Sequence, residues 1–299
     1  MKRATTDVAV WTAGSRAIRL DRPIIIGIVN VTPDSFSDGG NFFRSDDALK
    51  HAAKLIEDGA DAVDVGGEST RPGATAIPAT EEMSRVAPVI EHIRARFPDV
   101  PISVDTTKAD VARRALEGGA DIVNDVSAAR LDASMPALLA SSECGVVLMH
   151  SRGGVDEMAT YRYAEYDSDP SADIAIELAQ RARALEAAGV ERARIVLDPG
   201  IGFSKRSEHS IAMLRDLSEF SALGYPILVG PSRKRFVREI LETTLARTGH
   251  AVSLTNADRD LGTVGASVVA LVAGARLFRV HDVRSHRRAL DVAWAVLRG

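Results

Sequence analysis

One cysteine in 299 residues, Cys144, excludes an intramolecular disulfide and fits a reducing compartment. It stands directly before the apolar run Gly145–Met149 and reads as a small buried side chain rather than a reactive thiol. No run approaches the ~18 apolar residues of a membrane-spanning helix. The N-terminal residues lack the apolar core of a secretory leader. A soluble cytoplasmic protein with no membrane partner is the expectation. Basic blocks are missing too: the net charge is −4, and nothing points to nucleic acid. Lysine is scarce, six residues against 31 arginines, which makes each lysine worth locating.

What is present is a repeated phrase: a short apolar run, a polar tip, a loop, then a helical pattern. The clearest case is Ile24–Phe36, where IIIGIV ends in Asn30 and passes into Thr32, Pro33, Asp34 and Ser35. Strands are predicted at Ile24–Val29, Ala62–Val65, Pro101–Val104, Ile122–Val123, Gly145–Met149, Ile195–Leu197, Pro226–Val229 and Ala275–Val280. Between them lie helical patterns at Ser45–Glu57, capped by Ser45, and Thr80–Arg96, capped by Thr80. Others are Lys108–Glu117, Met135–Ser141, Ser171–Ala188, Ser207–Ser221 and Gly262–Ala273, the last preceded by a polar segment Thr255–Asp260. The strands are apolar and mostly unalternated, as strands covered on both faces are. Eight such units predict an α/β fold of the (β/α)₈, TIM-barrel class. The length prior of about two domains is set aside, because such barrels of roughly 250 residues form one. Residues 1–22, with VAVWTA and RAIRL around Gly14-Ser15, read as an N-terminal β-hairpin extension, and 23–299 as a single barrel domain. A doubly wound open sheet is the rival; it wants a GxGxxG after the first strand, and none stands there.

Barrel ligands sit at the C-terminal ends of the strands. The tips here are Asn30, Thr70-Arg71, Asp105, Asn124, His150, Asp198, Ser232 with Lys234, and Arg279 with His281. Asp105, Asn124, Asp198 and Lys234 suit a flat heterocycle: a carboxylate accepts parallel N–H bonds, and a lysine serves a carbonyl or ring nitrogen. Asn30, Arg71, Arg279 and His281 suit an anion, with a helix N-terminus following Asp282. Two other readings remain open on the residues alone. His150, Asp198 and His281 form a conceivable metal cage, though without HExxH-type spacing. Lys234 is a conceivable Schiff-base lysine.

Eight motifs then carry a resemblance. NVTPDSFSDGG (Asn30–Gly40), GGESTRPGA (Gly66–Ala74), SVDTTK (Ser103–Lys108), IVNDVS (Ile122–Ser127), LMH (Leu148–His150), LDPGIGF (Leu197–Phe203), GPSRKRF (Gly230–Phe236) and RVHDV (Arg279–Val283) together resemble the dihydropteroate synthase family, in that family's order. The resemblance implies a folate-pathway transferase. It joins 6-hydroxymethyl-7,8-dihydropterin diphosphate to 4-aminobenzoate and releases diphosphate and 7,8-dihydropteroate. It implies a pterin pocket of Asp105, Asn124, Asp198 and Lys234, lined by Met149, Phe203 and Gly230. It also implies a diphosphate site of Asn30, Arg71, Arg279 and His281, with Mg²⁺ near Asn30. An aminobenzoate side would use Thr70, Arg71, Phe203, Ser232 and Lys234, completed by Pro33 and Phe36 from a mobile loop hinged at Gly39-Gly40. Asp105, Asp198 and Lys234 are the residues expected to carry the reaction. One segment departs: after LMH, many members carry a Met-Gln-Gly-like loop where this chain has Ser151-Arg152-Gly153-Gly154.

The expected path is dissociative, with the two carboxylates offsetting positive charge on the pterin and no covalent nucleophile. On this division into two sites, Arg279→Ala should hurt diphosphate-containing ligands and spare the bare pterin. Sulfonamides, which resemble aminobenzoate, are expected competitors, and a homodimer through the late helices around Val264–Ala273 is the expected assembly. A non-catalytic pterin-binding paralogue, a pterin-dependent corrinoid methyltransferase and an aldolase are the rivals.

Overall fold

Ile24–Asn30 (β3) is the first long strand, and seven strands follow it in parallel: β4 (Ala62–Gly66), β5 (Ile102–Asp105), β6 (Ile122–Asp125), β7 (Gly145–Met149), β8 (Ile195–Asp198), β9 (Leu228–Val229) and β10 (Leu277–Val280). The structure is a computed structural model, and it describes residues 9–32, 41–70, 73–167, 169–247 and 253–299. The ladder order is β8-β7-β6-β5-β4-β3-β10-β9. One parallel bridge, Leu197 to Ile227, joins its two ends, so the sheet curls into the expected barrel. Among the described residues, no helix is long and apolar enough to cross a membrane.

The helices between the strands are α1 (Asn41–Glu57), α2 (Ala79–Arg96), α3 (Ala109–Glu117), α4 (Met135–Ser141), α5 (Pro170–Ala187), α6 (Ser207–Arg215), α7 (Leu217–Ser221), α8 (Arg235–Arg247), α9 (Asn256–Val272) and α10 (Val283–Arg298). Four differ from expectation. The first helix begins at Asn41, so Ser45 lies inside it and is not its cap. In α2 the N-cap is Pro78, whose φ of −60° and extended ψ of 149° lead directly into the helix, and Thr80 falls in the first turn. The stretch 207–221 is two helices, broken at Asp216, whose carboxylate is drawn sideways to Arg215. The polar segment 255–260 is the start of α9. There Thr255 and Asp258 bond each other's backbone N–H in a capping box, so polar residues nucleate the helix rather than precede it.

Side chains two apart on a strand share a face. One face of the barrel strands packs outward on the helices, with Ile25, Val29, Val63, Val65, Val104, Val123, Val146 and Leu197. The other face fills the barrel. Its lower layer is apolar: Ile24, Ile26, Ala62, Ile122, Val147, Val196, Leu228 and Leu277. The hairpin of β1 (Val10–Ala13) and β2 (Arg16–Arg19) closes that end. Trp11 is fully buried in this layer, and its indole N–H donates to the Arg194 carbonyl at 2.8 Å. Gly145 makes room for it, since a Cβ there would lie 2.8 Å from Ala13 and 3.0 Å from the Trp11 ring. Arg16 ties the second strand to the strand starts through Asp121 and the carbonyls of Pro98 and Asp99. Cys144 is buried beside this plug, as expected, with burial raising its thiol pKa.

Trp11→Ala should therefore cost about 3–5 kcal/mol of stability, the range for emptying a buried aromatic site. A urea melt checks this. Ligand affinity at the opposite end of the barrel should be unchanged, and a loss there would show that the plug is more than structural.

Candidate active site

Two residues further along each inward face, the lining changes from apolar to polar. Ala62 is followed by Asp64, Ile122 by Asn124, Val147 by Met149, Val196 by Asp198, Leu228 by Gly230 and Leu277 by Arg279. From β5 come Ser103 and then Asp105. Strand periodicity alone thus converts dispersed residues into one ring above the apolar layer. Asp64, Asn124 and Asp198 are buried, and Asp105 is half-buried at the mouth.

Arg279 is the hub of the ring. Its Nε donates to Asp64 Oδ2 at 2.5 Å and its Nη2 to Asp105 Oδ2 at 2.7 Å. Asn124 Nδ2 donates to the same Asp64 oxygen at 3.2 Å. Burial works against the Arg279 charge, but the two carboxylates outweigh it and raise its pKa. Asp105 is raised by burial, with Arg279 opposing the shift. By residue type alone Arg279 belongs with an anion site and Asp105 with a heterocycle site. In the fold they are directly bonded, so the two sites share a wall.

Asp64 is not one of the strand-tip residues, because it lies inside β4. Its Oδ1 is buried with no hydrogen-bond partner among the described residues. A carboxylate in the middle of the apolar run Ala62–Val65 is the signal that could have found it, because such a charge persists only when paired.

Asp198 Oδ1 accepts the Gly200 backbone N–H at 2.7 Å. Burial raises Asp198 to about 6, against Gly200 and the positive charge of Lys234. Lys234 is lowered to about 7 by burial and by Arg279, with Asp198 and Asp105 opposing. Its Nζ lies 3.6 Å from the centroid of the Phe203 ring, a cation–π contact. Phe203 and Met149 form a small apolar cluster with Val126 and Met158. Gly230 carries no side chain, and a Cβ there would lie 4.0 Å from Asp198 Oδ2 and 3.9 Å from Arg279 Cβ, so glycine keeps the space between them open.

On the far side, Ser232 Oγ pairs with His281 Nδ1 at 2.8 Å and accepts the His281 backbone N–H at 3.2 Å. The neighbouring Arg233 adopts φ +56° and turns away to a bidentate pair with Asp260, at 2.7 and 2.8 Å. That pair pins the Ser232–Lys234 tip from behind. Asn30 ends β3 half-exposed, and Thr70 is half-buried after β4. Pro33, Phe36, Arg71 and the hinge Gly39-Gly40 lie outside the described residues.

His150 does not join the ring. It follows inward-facing Met149, so its side chain points outward, where Nε2 meets Glu177 Oε2 at 3.0 Å and Nδ1 meets Lys205 Nζ at 2.8 Å. The metal cage of His150, Asp198 and His281 therefore does not form. Among the described residues, no group of three or more His, Cys, Asp or Glu is placed to hold a metal.

The motif residues Glu68 and Lys108 serve the loop after β4. Lys108 Nζ bridges Glu68 at 2.8 Å and the buried Glu82 at 2.5 Å, and Glu68 accepts the Ile77 N–H at 2.8 Å.

A family profile described as pterin binding enzyme matches residues 26–281. The dihydropteroate synthase of Bacillus subtilis is 41% identical over 277 residues, covering 93% of this chain and 90% of that protein. The chain belongs to the dihydropteroate synthase family. A solved structure of the Xanthomonas albilineans family member with 4-aminobenzoic acid superposes with a TM-score of 0.87 at 40% identity, covering 98% of this chain and 100% of that one. A Yersinia pestis dihydropteroate synthase solved as a sulfonamide drug complex has a TM-score of 0.86 at 36% identity, covering 97% and 100%.

The charge state of the ring makes one expectation specific. Asp198 lies above its unfolded pKa of 3.8, so its contribution to stability is largest below 3.8 and is lost as pH rises through about 6. Lys234, lowered from 10.5, contributes most above 10.5 and loses that as pH falls through about 7. From about pH 5 to neutrality the Asp198 penalty therefore grows, while the Lys234 penalty is already near its full size in acid. A pterin that gives N–H donors to Asp198 removes the penalty that grows with pH. The rise in Tm on adding a pterin should be larger at about pH 7.5 than at about pH 5. An equal or larger rise in acid would contradict these charge assignments.

Proposed function

We propose that this chain condenses 6-hydroxymethyl-7,8-dihydropterin diphosphate with 4-aminobenzoate, giving 7,8-dihydropteroate and diphosphate. The observation that carries the reading is the ring itself. Asp105, Asn124, Asp198 and Lys234 face one barrel mouth, with Arg279 and the Ser232–His281 pair on its wall. Two carboxylates, an amide and a lysine around an apolar floor of Met149 and Phe203 suit a flat heterocycle rich in N–H groups. Membership of the family supports the same substrates.

The pterin lies on Asp105, Asn124, Asp198 and Lys234, with Gly230 leaving room for it. Diphosphate meets Asn30, Arg71, Arg279 and His281. Of the five N–H donors of a guanidinium, the bonds from Arg279 to Asp64 and Asp105 use two. The others serve phosphate oxygens. Asn30 offers one amide oxygen for a Mg²⁺ carried in on the diphosphate, since this ion commonly takes few protein ligands and keeps phosphates and waters. When bound, it would neutralise charge on the leaving group.

The methylene C–O bond breaks, and its electron pair leaves with diphosphate. The positive charge spreads from the methylene into the pterin ring, where Asp105 and Asp198 offset it. Aminobenzoate, held by Thr70, Arg71, Phe203, Ser232 and Lys234 with Pro33 and Phe36, attacks that carbon through its amine nitrogen. It then loses its proton to diphosphate or solvent. Excluding water matters because the cation would otherwise be trapped as the alcohol.

A coupled assay for diphosphate release, with pterin diphosphate and Mg²⁺, with and without 4-aminobenzoate, tests this. Release that depends on aminobenzoate supports it. Pterin binding without release would indicate a non-catalytic binder, methyl transfer a corrinoid partner enzyme, and borohydride trapping on Lys234 an aldolase. Sulfonamides should raise the apparent KM for aminobenzoate and leave that for pterin diphosphate unchanged.

A second copy of this chain is the proposed partner of the late helices. Leu261 (73% exposed), Val269 (54%) and Val272 (63%) on α9 and Val292 (66%) and Val296 (77%) on α10 present an apolar surface. Sedimentation should find a dimer that Val269→Asp with Val272→Asp converts to monomer. A wild-type monomer would overturn this.

A further inference from the structure

Behind the ring lies a buried polar chain that the proposed reaction does not use. Lys205 is buried against the β7 end, burial lowers its pKa well below that of a free lysine, and its Nζ has three acceptors: His150 Nδ1 at 2.8 Å, the Phe203 carbonyl at 2.8 Å and the His150 carbonyl at 3.3 Å. The other imidazole nitrogen meets Glu177 Oε2 at 3.0 Å, and Glu177 also holds Arg152. Hydrogen bonds from His150 and Arg152 pull Glu177 down to about 2 against its partial burial, so it is ionised and only accepts. The proton between them must therefore sit on His150 Nε2. Burial and Lys205 keep His150 neutral by lowering it to about 4, which leaves Nδ1 as a bare acceptor. Lys205 donates to it whichever charge state the lysine holds.

This chain ends on the shelf that carries Phe203. The loop after β8 passes through three left-handed residues, Gly200 (φ +73°), Gly202 (φ +78°) and Ser204 (φ +50°). A Cβ on Gly200 would lie 2.0 Å from the His150 carbonyl oxygen, so the shelf is seated directly on His150. A Cβ on Gly202 would lie 3.0 Å from Lys234 Cδ, so the Lys234 stem rests on the same shelf, under the Phe203 ring. Ser204 is locked to the loop after β7 through Arg152 and Met158, and Tyr166 donates its hydroxyl to the Ser204 carbonyl at 2.9 Å.

We propose that His150 and Lys205 are positioning residues: Glu177 fixes the Nε2–H tautomer of His150, Nδ1 then captures Lys205, and Lys205 holds the Phe203 shelf so that ring and shelf set Lys234 for the pterin. The proposal rests on the pterin-site reading above. It also explains why a histidine that points out of the barrel lies in a motif with Met149, which points in.

The test has a ligand-free arm and a ligand arm. In the empty protein, nitrogen NMR of the imidazole should show His150 as the Nε2–H tautomer, and in Lys205→Met its Nδ1 signal should move. In the same variant the Lys234 titration should shift, because the Phe203 ring is released. In the ligand arm, His150→Leu and Lys205→Met should each weaken pterin binding by about tenfold, as loss of an orienting partner does. The double variant should be no weaker than the worse single one, since both break one connection. His150→Asn, whose amide oxygen can stand in for Nδ1, should recover most of the affinity. An Nδ1–H tautomer, independent effects that multiply in the double variant, or lowered Tm with unchanged Lys234 titration and pterin affinity would overturn the proposal. If wild type binds no pterin while the ligand-free arm behaves as described, the positioning stands and the functional reading fails.

Discussion

Asp198→Asn should weaken pterin binding by roughly two orders of magnitude or more while leaving the barrel folded. The carboxylate is buried, and one oxygen is already committed to the Gly200 N–H at 2.7 Å. What remains is acceptor capacity facing the Gly230 gap and the Lys234 side of the ring. A charged acceptor for one or two ligand N–H groups contributes about 1.5–3 kcal/mol per bond. Asparagine keeps the shape and one oxygen, which can retain Gly200. It then turns an amide N–H₂ toward the ligand's donors, so a bond becomes a donor–donor clash. Losing about 3 kcal/mol corresponds to roughly a hundredfold in the dissociation constant. Calorimetry with a pterin measures this, and unchanged affinity would remove Asp198 from the pocket.

Arg279→Ala should carry a large cost to the molecule itself, through charge rather than lost packing. It strips the shared cation from two carboxylates, Asp64 and Asp105, the first of them buried with one oxygen that has no partner among the described residues. Breaking a buried pair by removing one member costs about 3–5 kcal/mol, because the remaining charge is left uncompensated. The deficit should depend on pH. Asp105 is already raised by burial, and Arg279 is the charge that holds it down. Without the guanidinium it rises further, so the variant's stability is greatest in acid and is lost as pH rises through the shifted value. Denaturant melts at about pH 5 and about pH 7.5 should show a larger gap from wild type at the higher pH; a pH-independent gap would argue against a charge origin. Adding Asp64→Asn should recover part of the loss. The ligand consequence differs from the one drawn on sequence alone. Because Arg279 orients Asp105 at 2.7 Å, bare pterin should weaken along with diphosphate-containing ligands. A variant that lost only the latter would restore the simple division into two sites.

The departure after LMH gains a physical reading from the same structure. Arg152 of this chain's Ser-Arg-Gly-Gly segment binds Glu177, lies over the Tyr166 ring at 4.2 Å, and donates its backbone N–H to Ser204 Oγ at 2.9 Å. The altered loop thus braces the Phe203 shelf from outside the barrel.

The barrel and most of the ring were legible in the sequence because both obey short periods. Apolar strands buried on both faces leave unbroken runs such as Ile122–Val123 and Gly145–Met149, and their ends announce themselves as Asn124, Asp198 or Arg279. The helix starts were less legible. Thr80 is a good capping residue by type, but the chain direction imposed by Pro78 made the cap a backbone matter.

What the sequence by itself determined is the set of chemical groups at the strand ends, since strand parity and order place those groups on one mouth without knowledge of any contact. Which groups bond to one another was decided only by the closed barrel. Asp64 and Arg279 are 215 positions apart, and they meet because closure sets β10 beside β3, one strand from β4. Lys205 and His150 likewise meet only where the loop after β8 folds back over the β7 end. Pairing energies of this kind depend on distance and burial in space, and neither is encoded in the local run of residues that carries each group.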